Sequence, residues 1–397
     1  MTTSSVIDDH ETLPIRCSIV RGGTSRAVFF LAEDLPADRA AIAPILLDAM
    51  GSPDIRQING LGGATSQTSK VAIIGPPTRP DADVDYTFAQ VSITAPLVDW
   101  GGNCGNISSA VGPFAVNAGL VPTDGDNAVV RVHNVNTGKI IVARFPVVAG
   151  RAAILGDCAI PGVPGTGARI ELEFTHPAGS VTGTLLPTGQ PQETVEIADG
   201  RSFRVSVVDA ANPVVFMLAD ELGLTGTETA AQIDARTDAT AVLEEVRGIF
   251  AERLGIVPSA ADATALSPGL PKVGFVAPPA EYTGTAGEVV DAESIDLCGR
   301  LMSMQTAHRT YMLTGAVCTA TAATVDGTVV AEVSRPLERD SSGAYRVRIG
   351  HPYGGMTCLA TKDDNGDISG VAVERTARAI LDGQVHVRHD VFPNGIA

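Results

Sequence analysis

RCSIVRGGTSRAVFFLAEDL, from Arg16 to Leu35, has a second version at Arg204 to Leu222, RVSVVDAANPVVFMLADEL, one residue shorter at the turn. Both read as an apolar strand, a Gly/Ala/Asn turn, a second strand and an acidic helix start. A second match pairs Lys70–Pro77, KVAIIGPP, with Lys272–Pro279, KVGFVAPP, each an apolar strand entered by lysine and closed by two prolines. A third pairs Cys104–Val121, CGNISSAVGPFAVNAGLV, with Met312–Val329, MLTGAVCTATAATVDGTV, each a helix of small residues ending near glycine. The matches keep their order while the offset grows from 188 to 202 to 208 residues, as insertions in a duplicated chain require.

Duplication predicts a mixed α+β fold of two pseudo-symmetric halves, each a curved, mostly antiparallel sheet around a central helix. The small residues of Ile107–Ala118 and Gly315–Ala323 suit a helix that a sheet wraps closely, since larger side chains hold strands away. A chain of 397 residues is ordinary for two domains. The first half is expected over residues 1–190 and the second over 200–374, with the boundary in the Gly/Pro/Thr-rich stretch Thr182–Gly200. Residues 375–397 have no counterpart and are expected to cross back to the first half. Ala128–Val147 and Ala168–Phe174 read as strands; Ala37–Ala49, Ala230–Leu254 and Ala292–His308 read as helices from apolar spacing near 3.6.

A formal charge of −17 without a block of Lys or Arg argues against nucleic acid, while a small anion remains acceptable to a few local donors. The cysteines (Cys17, Cys104, Cys158, Cys298, Cys318, Cys358) show no metal-ligand spacing and read as reduced cytosolic thiols. The opening residues, MTTSSVIDDHETLP, lack a basic start and an apolar core, and no apolar run reaches membrane-spanning length. A cytoplasmic protein off the membrane is expected, with no metal or other cofactor and a homodimer as the default assembly.

Trp100–Ser109, WGGNCGNISS, is the strongest local feature. Glycines flank Cys104 and a helix begins there, so Asn103, Gly105 and Asn106, with the Ser108 and Ser109 hydroxyls, form an anion-binding arrangement. The helix start also favours a thiolate at Cys104, although a small residue filling space beside a tight turn has the same spacing. Asn59–Lys70, NGLGGATSQTSK, ends with Lys70 entering an apolar strand, with Ser66, Thr68 and Ser69 before it. It is no phosphate loop, because Ser69 precedes the lysine and a strand follows. Desolvation there favours the neutral amine, the form that acts as a general base; a lysine snorkelling from a strand end is the structural alternative. RGGTSR places Arg21, Thr24, Ser25 and Arg26 around a turn as a carboxylate clamp. His308–Thr310 and HPYGGM, with His351, Gly355 and Met356, add polar contacts from the second half, and Met312, Thr314 and Gly315 open its helix. Met312 stands where Cys104 stands, so the second half brings no proton-transfer group at that position. This disfavours two-base racemisation and favours a one-sided proton shift. Lys272 reads as a relic or a strand-end charge.

In RGGTSRAVFF, GLGGATSQTSK, DWGGNCGN, DAANPVVF, HRTYMLTGA and IGHPYGGM, in that order, the chain resembles the 2-methylaconitate isomerase family. That family also holds 4-oxalomesaconate tautomerases and 3-methylitaconate and aconitate delta-isomerases. The resemblance implies a diaminopimelate epimerase-like fold, a catalytic lysine at Lys70 and an active-site cysteine at Cys104. Arg26 departs from the lysine common there. The implied reaction is a cofactor-independent 1,3-allylic proton shift in a small polycarboxylate. An epimerase or racemase on the same fold and a non-catalytic acid-binding protein remain alternatives.

Overall fold

The computed structural model describes residues 11–392, and the opening residues 1–10, read above for lack of a leader, lie outside the described residues. The first run of long strands is β1 (Thr12–Gly22), β2 (Ser25–Leu31), β3 (Lys70–Gly75), β4 (Val84–Val91), β5 (Asn127–Asn134), β6 (Lys139–Val148) and β7 (Ile170–Thr175). The second is β8 (Ser202–Ala210), β9 (Asn212–Leu218), β10 (Lys272–Ala277), β11 (Leu297–Ser303), β12 (Tyr345–His351), β13 (Gly354–Lys362) and β14 (Ile368–Arg375). From β1 to β7, neighbours pair antiparallel, parallel, antiparallel, parallel, antiparallel, antiparallel. From β8 to β14 the same succession recurs step for step. The duplication read from three short matches is thus a duplication of topology.

The equivalent last strands, β7 and β14, pair antiparallel with each other, from Thr175 opposite Gly370 to Ile170 opposite Arg375, as a pseudo-two-fold axis requires. A final strand, β15 (Ala377–Arg388), pairs antiparallel with β1 along its length. Among the described residues no helix is long and apolar enough to cross a membrane.

The central helices, Gly105–Asn117 and Leu313–Ala323, each lie in the chain between the fourth and fifth strands of their run. Every residue of the second is buried, and in the first only Phe114 and Asn117 are not. Small residues are needed because a Cβ on Gly112 would sit 2.9 Å from the Phe145 ring and 3.1 Å from Ala143. One hydrophobic cluster contains both helices and both inner sheet faces. Phe29 and its repeat counterpart Phe216 are fully buried in it, each contributing on the order of 2–3 kcal/mol from lost apolar surface. Smaller clusters pack helix Arg39–Met50 and helix Thr237–Arg253 on the outer faces.

The hairpin turns also correspond. Gly23 (φ +51°) and Ala211 (φ +62°) both adopt the left-handed conformation, and alanine accepts there a backbone state that glycine adopts freely. Two helix expectations need correction. Ala292–His308 is a short 3-10 turn followed by β11 and a brief strand at Thr306–Ala307. Its apolar run is buried by sheet pairing, with Gly274 opposite Leu301, and a short buried run has no periodicity that separates helix from strand. Ala230–Leu254 is two helices, Ala230–Asp234 and Thr237–Arg253, divided where Arg236 leaves helical geometry and pairs with Asp238.

Candidate active site

The repeat places equivalent elements around one cavity between the halves. Lys70 opens β3 and Lys272 opens β10; Cys104 and Met312 are the N-caps of the two central helices. All four line one cavity, with Ser25, Phe88, Gln90, Asp99, Asn103, Gly105, Asn106, Asn212, His308 and Thr314 among the other lining residues. Neither N-cap side chain caps its helix. The earliest intrahelical donors are Ser108 N–H to Cys104 (2.9 Å) and Ala316 N–H to Met312 (2.8 Å). The N–H groups of residues 105–107 and 313–315 therefore lack intrahelical acceptors, and two positive helix ends converge where an anion can sit.

β-pairing sets the lysine environment. Gln90 lies opposite Lys70 in the β3–β4 register, and its Oε1 accepts from Lys70 Nζ at 2.5 Å. Gln90 Nε2 donates to Ser69 O at 2.7 Å and Ser66 O at 3.3 Å, which fixes the amide orientation. Lys70 is only 8% exposed and lies over the Phe88 ring, 5.2 Å from its centroid. Lys272 Nζ donates to Gly269 O at 2.8 Å. Burial, followed by the nearby Lys70 charge, pushes the Lys272 ammonium down to about 8, with Asp99 and Cys104 opposing. His308 is pushed down to about 3, first by burial and then by the Lys70 charge, so its imidazole is neutral; Nδ1 accepts from Thr310 N–H at 3.2 Å.

Asn212 ties the helix starts together. Its Oδ1 accepts from Asn103 N–H (3.3 Å), and its Nδ2 donates to Asn103 O (3.1 Å) and Thr314 Oγ1 (3.0 Å). Ser25 is the repeat counterpart of Asn212, and its buried hydroxyl has no hydrogen-bond partner. It is a polar group in the cavity wall left for a ligand.

Of the residues expected from sequence, Lys70, Cys104, Ser25, Asn103, Gly105, Asn106, Met312 and Thr314 line this cavity. Thr24 lies just outside, its hydroxyl 3.1 Å from that of Thr310. Other expected residues support the wall. Ser108 Oγ donates to Asn103 Oδ1 and Ser109 Oγ to Asn106 O; Ser69 is held between Gln57 and Val91; Ser66 supplies its carbonyl to Gln90; and Thr68 pairs with Thr65. Gly315 gives room to the Leu301 side chain.

The arginine clamp is not formed at the cavity. Arg21 spends its guanidinium on Gly23 O and Thr376 O, both at 2.9 Å, bracing the turn against the entry to β15. Arg26 is its cross-strand partner and faces the Gly63–Thr68 loop. His351, Gly355 and Met356 also lie elsewhere. His351 is buried against Tyr311, with ring centroids 6.2 Å apart, while Gly355 and Met356 line a separate cleft beside Arg375. His351 closes β12, and Gly355 and Met356 lie at the start of β13, its antiparallel hairpin partner. A third, apolar groove between Phe29, Phe114 and Ala377–Gly383 brings none of the expected site residues together.

Lys272, expected from sequence to be a relic or a strand-end charge, opens its strand and lines the cavity as Lys70 does. Its signal was the repeat itself. Asn212 and His308 stood in DAANPVVF and HRTYMLTGA, whereas Gln90 had no local signal, being placed only by strand register. The five other cysteines are buried, unlike the partly buried Cys104, and none of the six is in a disulfide. Among the described residues no group of three or more His, Cys, Asp or Glu side chains is arranged to hold a metal ion.

The PrpF protein family matches residues 12–388. 3-Methylitaconate isomerase of Eubacterium barkeri is 44% identical over 378 residues, covering 95% of this chain and 98% of the relative. (4E)-Oxalomesaconate Delta-isomerase of Novosphingobium sp. is 41% identical, covering 94% and 97%, and 2-methyl-aconitate isomerase of Cupriavidus necator is 38% identical, covering 96% and 98%. The crystal structure of a methylitaconate-delta-isomerase superposes with a TM-score of 0.78 at 42% identity, covering 97% of this chain and 98% of that one. A hydroxyproline epimerase from Agrobacterium vitis, TM-score 0.53 at 10% identity, covering 97% and 96%, shows that the epimerase-like fold is shared. With nearly its whole length matched by the family and by isomerases, the chain belongs to the PrpF protein family and is an isomerase.

Proposed function

We propose that the protein moves an allylic proton in a small unsaturated di- or tricarboxylate, of the kind named for its relatives: methylitaconate, 2-methylaconitate or 4-oxalomesaconate. The carrying observation is the cavity lining. In a chain of formal charge −17, it gathers two lysines against one carboxylate, Asp99, and adds two helix N-termini. Such a lining favours a small polyanion.

In this reading Lys70, as the neutral amine, takes a proton from an sp³ carbon adjacent to both the alkene and a carboxylate or carbonyl. The C–H electron pair spreads through the alkene onto oxygen as a dienolate. The N–H groups at the helix starts stabilise that charge, and they do so without reorganising because the sheets hold both helices fixed. A proton then returns to the far carbon and the double bond has moved by one position. Cys104, at the N-cap, is placed to hydrogen-bond the substrate or to transfer a proton. His308, neutral, offers a hydrogen bond without adding a further cation.

The test is proton NMR in heavy water with methylitaconate, 2-methylaconitate, aconitate and 4-oxalomesaconate, using wild type and Lys70→Met. Double-bond migration with deuterium uptake is expected from wild type on at least one acid, and a loss of about 10²-fold or more from the variant. Turnover by Lys70→Met near the wild-type rate refutes the assignment of the base. Deuterium uptake at a stereocentre with no double-bond movement refutes the reaction class.

A further inference from the structure

The cavity contains a titratable group that a one-sided mechanism leaves unused. Lys272 opens β10 as Lys70 opens β3, in the same succession of strands, so the pseudo-two-fold axis presents the two amines from different halves. Extending the register that sets Gly274 opposite Leu301 brings Ser303, another lining residue, across from Lys272, as Gln90 lies across from Lys70. Each lysine donates one hydrogen bond to a neutral oxygen, Gln90 Oε1 or Gly269 O, and neither forms an ion pair among the described residues. After these bonds an ammonium at Lys272 keeps two N–H donors for a ligand, and a neutral amine at Lys70 keeps one N–H and the lone pair that accepts a proton.

Resting on the reading of Lys70 as the base, we propose that Lys272 is the acid of the reaction, delivering a proton to the far allylic carbon from the wall built by the second half. In the forward direction, Lys70 takes H⁺ from one carbon while the C–H pair enters the dienolate. The dienolate pair then forms a bond to a proton from the Lys272 ammonium, whose N–H pair remains on nitrogen as the neutral amine. Lys70 finishes charged and Lys272 neutral. That is the starting state for the reverse reaction, and exchange with water resets it. Once Lys70 has taken its proton, burial and that new charge together push the Lys272 ammonium down to about 8, so it gives up its proton more readily than an ordinary lysine at the step that needs it. The second half, which places Met312 where the first has Cys104, would then supply its proton-transfer group from the strand instead of the helix.

Lys272→Met and Lys272→Arg are compared with wild type and Lys70→Met, using the substrate identified above in heavy water. Exchange at the carbon that loses its proton and formation of product are followed separately. Abstraction needs only Lys70, so both Lys272 variants are expected to keep exchange within about tenfold of wild type while product formation falls about 100-fold or more. Arginine retains the charge but does not release its proton, so a defect shared by both variants is a defect of the acid. Wild-type product formation by Lys272→Arg overturns the proposal in favour of simple carboxylate binding. Near-normal product from Lys272→Met overturns it outright, as does loss of exchange together with product in variants whose circular dichroism is native. Lys272→Gln replaces Lys272→Met if the latter does not fold. Exchange surviving in Lys70→Met identifies a failure of the base assignment instead, independently of Lys272.

Discussion

Asn212→Ala removes a side chain that is 1% exposed and that joins Asn103, at the start of the first central helix, to Thr314, in the first turn of the second. It leaves Asn103 N–H, Asn103 C=O and the Thr314 hydroxyl without their Asn212 partner. At roughly 1 kcal/mol for each bond, with the desolvation of the abandoned groups unrecovered, the expected destabilisation is about 3 kcal/mol. Urea unfolding followed by circular dichroism measures it as a fall in midpoint at constant m-value. The helix ends frame the cavity, so kcat/KM should fall as well. Asn212→Asp separates the two effects: it keeps an acceptor for Asn103 N–H but sets a carboxylate oxygen against Asn103 C=O in a site meant for anions, and activity should fall further than stability. In a double-mutant cycle, Asn212→Ala and Thr314→Val should be non-additive, because they share a bond. A loss below about 0.5 kcal/mol, or full additivity, refutes the account of Asn212 as the tie between the halves.

His308 predicts acid sensitivity. Its folded value of about 3 lies below the ordinary 6.5, so its contribution is complete above pH 6.5 and is lost as pH falls towards 3. Moving from pH 7.5 to pH 5 should cost wild type about 2 kcal/mol more than His308→Gln, and parallel stability curves in denaturant would contradict this. Gln90→Leu removes the acceptor of Lys70 Nζ and the donor to Ser69 O; kcat should drop about 10- to 100-fold with little change in KM, and an unchanged kcat would show that Lys70 needs no such positioning.

The sequence exposed what repeats and hid what pairing makes. Matches of the RCSIVRGGTSRAVFF kind are local patterns of strand and turn, and they survive as β1–β2 and β8–β9 because each hairpin buries the same inner positions, Phe29 and Phe216 among them. Leu297–Ser303 was misread because an apolar run shows its period only when one face is polar, and both faces here are covered. Cys104 and Lys70 were legible through glycines and a strand mouth. Gln90, by contrast, reaches Lys70 only through antiparallel register, which no local window contains. Arg21 reads as a carboxylate clamp from its guanidinium fork beside a Gly-Gly turn. Its actual acceptors, Gly23 O and Thr376 O, include one brought near only by the crossing into β15.

The divergence between the halves bears on the chemistry. Ser25 corresponds to Asn212, Gln90 to Ser303 and Cys104 to Met312 in the repeat, yet lysine stands at both strand mouths. An enzyme that inverts one carbon needs matched groups on opposite sides of that carbon, and loss of one cysteine removes such a pair at the helix starts. A 1,3-shift instead removes a proton at one carbon and restores one at another, in different surroundings. Unequal lining is then what the reaction requires, provided that each half still offers one group able to carry a proton. The two lysines meet that condition, whereas Lys70 and Cys104 alone draw both groups from one half.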